Sequence, residues 1–171
     1  MKSKGIKIKD FLYLLLTENY KIQRNLQIEN KDVFGMTNLQ IQKLTYFIQG
    51  LFMAKFQEKI IDEKFKAWKY GSVLEEMYYF LKEYGKSYVG KDNFKDFTTE
   101  KIAEIEKSFT KEQLKFIEKV FIYFNKYSAL ELVTISHVEG PWKETNYGEE
   151  ISDDAILSYF HEKLKQIEQL I

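Results

Sequence analysis

Apolar residues recur at helical spacing along most of the chain. Ile41, Leu44, Ile48 and Leu51 follow the i, i+3, i+7 rhythm of a core-facing stripe, with Phe47 and Phe52 beside them. Thr37 followed by Gln40 reads as a capping box that starts this helix: the hydroxyl accepts from a backbone N–H and the amide reaches back. A second helix is predicted from Ser72-Val73-Leu74-Glu75, another box. Its apolar face is Val73, Leu74, Met77, Tyr78 and Leu81, and Gly85 stands where a left-handed C-cap belongs. Between the two helices, residues 59–68 lack a 3.6 period and are predicted extended, as a small hairpin or a lone strand.

Shorter patterns flank this centre. Ile8, Phe11, Leu12 and Leu15 predict a first helix over residues 6–19, and residues 20–35 read as a polar loop with a short helical piece. Residues 86–97 carry no period, and Gly90-Lys91-Asp92-Asn93 is turn chemistry. Ile102, Ile105 and Phe109 predict a short helix from about Thr99. The box Thr110-Lys111-Glu112-Gln113 opens a stronger one with Leu114, Ile117, Phe121 and Phe124 on one face. Ser128 to Glu131 caps a shorter helix through Val133. Ser152, with Asp153 and Asp154 in the dipole-favoured first turn, starts the last, whose stripe is Ile156, Phe160, Leu164, Ile167 and Ile171. No internal repeat, low-complexity tract or linker interrupts residues 1–171. The expectation is a mainly α fold: one globular domain of six to eight helices, with a small β element near residues 59–68. Leu44, Ile48, Leu51, Val73, Met77, Leu81, Phe121 and Phe160 should share one core, because such stripes require mutual burial.

Composition narrows the function classes. The 26 basic and 26 acidic residues cancel, which argues against direct nucleic-acid binding. Cysteine is absent, excluding disulfides and thiolate metal sites. No apolar run approaches the ~18 residues of a membrane span, and residues 11–16 lack a small-residue cleavage site. A cytoplasmic protein without membrane association is expected. The 14 Phe and 12 Tyr reflect either compositional bias or tyrosines facing a protein partner.

Two blocks make the chain recognisable. Gln42-Lys43-Leu44-x-Tyr46 precedes Ala67-Trp68-Lys69-Tyr70-Gly71-x-Val73, and Leu132-x-x-x-Ser136-His137-x-x-x-Pro141-Trp142 is followed by Ile151. Together they resemble the SocA-like antitoxin family, also called the Panacea domain and linked to phage-associated GepA proteins. Ser72 stands where that family typically has proline; both residues suit the start of a helix. The resemblance implies a non-enzymatic antitoxin encoded beside a toxin gene, acting by contact with a cognate protein toxin. Its alternative is an adaptor presenting a toxin or other client to a protease.

Catalytic chemistry finds few groups. There is no Gly-x-Ser-x-Gly or His-Glu-x-x-His, and only His137 and His161 titrate near neutrality. An enzyme would have to use His137 and Glu139 as acid and base. His161, beside Glu162 in mid-helix, reads as an exposed polar residue, and no metal or cofactor site is expected. Trp68 and Trp142 read as packed corners whose indole N–H finds one partner. Lys43, on an otherwise apolar helix, is expected to be an exposed lysine, or else to snorkel or pair with an acid. Lys69-Tyr70-Gly71 reads as a surface turn ahead of a helix. The candidate partner-binding residues are therefore Lys43, Trp68, Lys69, Tyr70, His137, Glu139 and Trp142, with the turn and residues 137–142 expected to lie together.

Overall fold

The computed structural model describes residues 1–26, 35–138 and 140–171, with the side chain of Val138 also outside the description. Among the described residues the chain forms eight α-helices and two small two-stranded sheets. The helices are α1 (Ile8–Asn25), α2 (Asn38–Phe56), α3 (Glu75–Leu81), α4 (Thr99–Glu106), α5 (Lys111–Asn125), α6 (Ala129–Val138), α7 (Pro141–Glu144) and α8 (Asp153–Ile167). The strands are β1 (Lys2–Ser3), β2 (Glu58–Lys59), β3 (Lys66–Trp68) and β4 (Gly71–Val73). No helix among the described residues is long and apolar enough to cross a membrane.

Helix α2 is the centre of the packing. Every residue from 41 to 54 is buried, because α8, α5, α6 and the β3–β4 hairpin cover it on successive sides. Phe47 stacks on Phe124 of α5, with ring centroids 4.3 Å apart, and Phe160 of α8 meets Tyr46 and Phe47 edge-on at 5.1 and 6.0 Å. Gly50 permits this approach: a Cβ there would lie 2.0 Å from the Phe160 ring. All eight predicted core residues are buried, and seven of them share one hydrophobic cluster; Val73, on the hairpin, is buried outside it.

The capping predictions hold unevenly. Thr110 and Gln113 form the full reciprocal box, as do Ser128 and Glu131, and Ser152 accepts from the Ala155 N–H. Thr37 accepts from the Gln40 N–H, but the Gln40 amide turns away to Asn125. Helix α1 continues to Asn25, so residues 20–25 are helical rather than loop; residues 27–34 of that predicted loop lie outside the described residues. Helix α6 also runs past Val133 to Val138, which puts His137 in its last turn instead of a loop.

The Ser72 box does not form. Residues 71–73 pair antiparallel with residues 66–68, in register Lys66↔Val73, Ala67↔Ser72 and Trp68↔Gly71, and α3 starts only at Glu75. A carboxamide from α2 takes over the cap: Gln42 Oε1 accepts from the Leu74 N–H at 2.9 Å and its Nε2 donates to the Leu74 carbonyl at 3.2 Å. The predicted extended stretch splits between both sheets, β2 pairing in parallel with β1 and β3 with β4. Residues 148–151 line the other edge of β3 through Ala67 N–H to Glu149 O, Gly148 N–H to Ala67 O and Ile151 N–H to Phe65 O.

Candidate partner-binding site

The turn joining β3 to β4 carries Lys69 and Tyr70, both exposed, with the Lys69 ammonium 5.4 Å from the Tyr70 ring centroid. Backbone groups of a tight turn that are not used in its ladder need other partners. Here side chains from three helices supply them. Trp142 Nε1 donates to the Trp68 carbonyl at 2.7 Å, the His137 imidazole hydrogen-bonds the Tyr70 backbone, and Lys43 Nζ donates to the Ser72 carbonyl at 3.2 Å. His137 and Trp142 stack face to face, with centroids 3.7 Å apart and planes 2° apart. Pro141, at the first position of α7, sets the start of the helix that holds Trp142 there.

Gly71 is where the buried nitrogens converge. Its φ is +100°, and a Cβ on it would lie 2.3 Å from Lys43 Nζ and 2.9 Å from His137 Nε2. Lys43 is 0% exposed. Burial disfavours its ammonium and pushes the pKa down to about 7. Among the described residues no carboxylate pairs with it. His137 is also pushed down, by burial first and by the Lys43 charge second, against the Tyr70 bond that favours the protonated ring. Tyr46, buried beside Ser72, has its phenol held above the ordinary range by burial.

Outside this buried layer, a cleft of 260 Å³ opens between Trp68, Lys69, Trp142, Lys143, Thr145 and Tyr147. Tyr147 is 78% exposed at its rim, and Trp68 sits edge-on to Tyr78 at 4.9 Å. Thus Trp68, Lys69, Tyr70, His137 and Trp142 come together as expected from the sequence. Lys43 joins them from beneath, neither exposed nor paired with an acid, because α2 is covered on all sides. Glu139 lies outside the described residues. Exposed His161 is on α8 and takes no part. Lys143 and Tyr147 carry no signal in the sequence reading, and Gln42 enters it only as a member of the first motif block, without a role. For Gln42 the available signal was a polar residue on a helix too apolar to have a solvent face.

The arrangement is rich in hydrogen-bond donors aimed at the backbone of the turn. Ser136 of the second block donates to the Val133 carbonyl at 2.8 Å. Among the described residues no group of three or more His, Cys, Asp or Glu is placed to hold a metal ion.

The profile described as antitoxin SocA-like, Panacea domain, matches residues 41–143, which contain both motif blocks and every side chain that grips the turn. The chain belongs to this family. Antitoxin SocA of Caulobacter vibrioides (strain NA1000 / CB15N) is 29% identical over 109 residues, which are 63% of this chain and 58% of that relative's length. The chain therefore spans less than two-thirds of the curated relative it matches. No solved structure matches it. The Panacea match omits α1 and α8, although α8 packs directly on α2.

Proposed function

We propose that this Panacea-domain chain is an antitoxin that neutralises a cognate protein toxin by direct binding through the Lys69–Tyr70 turn and the adjoining tryptophan cleft. The observation that carries this reading is the convergence of both motif blocks on one face. Their tryptophans wall the same cleft, while buried Lys43 and half-buried His137 and Trp142 bond the backbone of the turn. Tyr70 and Tyr147 offer large amphipathic contact area at low entropic cost, as interface cores do, and Lys69 and Lys143 place positive charge beside them. Pre-ordering the turn spares the complex that ordering on binding. Family membership and the likeness to antitoxin SocA support the same class of partner.

The test is co-expression with the product of the adjacent gene. Lys69→Glu combined with Tyr70→Ala should leave the melting temperature nearly unchanged and abolish growth rescue, with loss of co-purification of the two chains. Rescue that survives the double substitution in a folded protein places the contact elsewhere. Co-purification combined with a fall in toxin level, dependent on a protease, would mark an adaptor instead.

A further inference from the structure

We infer that Lys43 is a positioning residue for the partner-facing turn: from inside the core it holds residues 68–72 in the shape that presents Lys69 and Tyr70, acting with His137 across Gly71. The inference rests on the proposed reading of that turn as the toxin contact.

A lysine buried on every side is costly, and an apolar side chain of similar volume would pack there without desolvating a charge. Lys43 has no acid to offset this among the described residues, and its hydrogen bond goes to the Ser72 carbonyl. What the amine does in the fold is therefore specific to the hairpin. It anchors one side of the turn, while His137 holds the Tyr70 backbone and Trp142 the Trp68 carbonyl on the other. The absent Cβ at Gly71 lets both nitrogens reach the same point of the backbone. A neutral amine still donates hydrogen bonds, so the Ser72 bond persists without a buried charge.

Protonation decides how firmly the turn is held. The titratable groups around the amine are His137 from α6, Tyr46 from α2 itself, and Tyr159 from α8, which adjoins Tyr46. Lys69 and Tyr70 belong to the turn, and no carboxylate among the described residues joins them. Lys43 takes its proton near pH 7, and its charge together with burial holds the His137 pKa below its ordinary value, because both nitrogens face Gly71. The folded chain protonates Lys43 near pH 7, whereas an unfolded lysine does so near 10.4. Between those values the unfolded state binds more protons, so stability rises with pH through that window. Below pH 7 this contribution is flat.

The experiment compares the wild-type chain with Lys43→Met and His137→Phe, using amide-exchange protection at Lys69, Tyr70 and Gly71 and thermal melts from pH 5.5 to 9. Lys43→Met should fold, lose the rise in stability above pH 7, and show protection at the turn reduced about five-fold, as expected for one hydrogen bond. His137→Phe keeps a ring against Trp142 and should loosen the same amides, so the test survives if one variant folds badly. Affinity for the toxin should fall about as much as turn protection does. Wild-type protection at the turn in both variants at every pH overturns the inference, and so does unchanged toxin affinity with a loosened turn. A wild-type chain that binds no toxin sinks the contact reading instead, and the turn amides alone then decide the role of Lys43.

Discussion

At the scale of single residues, Gly71 carries more of the site than any side chain on the turn's surface. Its φ of +100° is strained for any L side chain, and the space a Cβ would occupy is taken by Lys43 Nζ and His137 Nε2. Gly71→Ala should therefore cost about 1–3 kcal/mol, measured by urea denaturation. It should also reduce toxin neutralisation at temperatures where the protein is still folded. A neutral effect on both would mean the turn relaxes freely. The glycine itself was legible in the sequence as a turn signal. The nitrogens packed against it were not, because Lys43 lies 28 positions upstream and His137 66 downstream of residue 71.

At the scale of elements, the excursion from β2 to α3 is tied to α2 by three polar side chains on a helix that is otherwise core. Gln49 accepts from the Ile60 and Ile61 N–H groups and donates to the Ile61 carbonyl; Lys43 reaches Ser72; Gln42 brackets Leu74. These bonds replace the ladder partners that an irregular, buried backbone lacks. Gln42→Ala would leave the buried Leu74 N–H unpaired at the start of α3, while the Leu74 carbonyl keeps its bond from the Tyr78 N–H. It should cost about 1–3 kcal/mol, the range for one orphaned buried group. Equilibrium unfolding monitored by circular dichroism reads this directly, and a loss below about 0.5 kcal/mol would show that water serves Leu74 equally well. Ser72 illustrates the limit of local pattern. Ser-x-x-Glu is a sound N-terminal signal, yet pairing of residues 71–73 with β3 commits Ser72 to a strand, and the cap comes from another helix.

At the scale of the whole molecule, the Panacea core needs an element outside the family match. Helix α8 seals α2 through Phe160, which meets Tyr46 and Phe47 and fits into the gap left by Gly50. Phe160→Ala should destabilise by about 3–5 kcal/mol, the usual range for a buried ring, seen as a large drop in melting temperature. It should weaken the turn only through loss of folded protein, in contrast to Lys43→Met. If Phe160→Ala instead abolishes neutralisation while leaving stability intact, α8 contributes to the contact surface itself.

The sequence alone determined the helices, because a 3.6-residue apolar rhythm and a capping hydroxyl are short-range facts that act before any tertiary contact exists. It also determined most of the core: the apolar stripes of α5 and α8 can be satisfied only by burial, and α2 supplies the apolar surface they meet. The motif blocks pointed to the right family. Tertiary structure alone decided that α2 has no solvent face, turning Lys43 from a surface cation into a buried amine. It likewise assigned Gln42 as a cap, made Ser72 part of a strand, and stacked His137 on Trp142. The physical reason is common to all four. Each depends on which distant element covers a face or meets a backbone group, and that is known only once the chain has closed on itself.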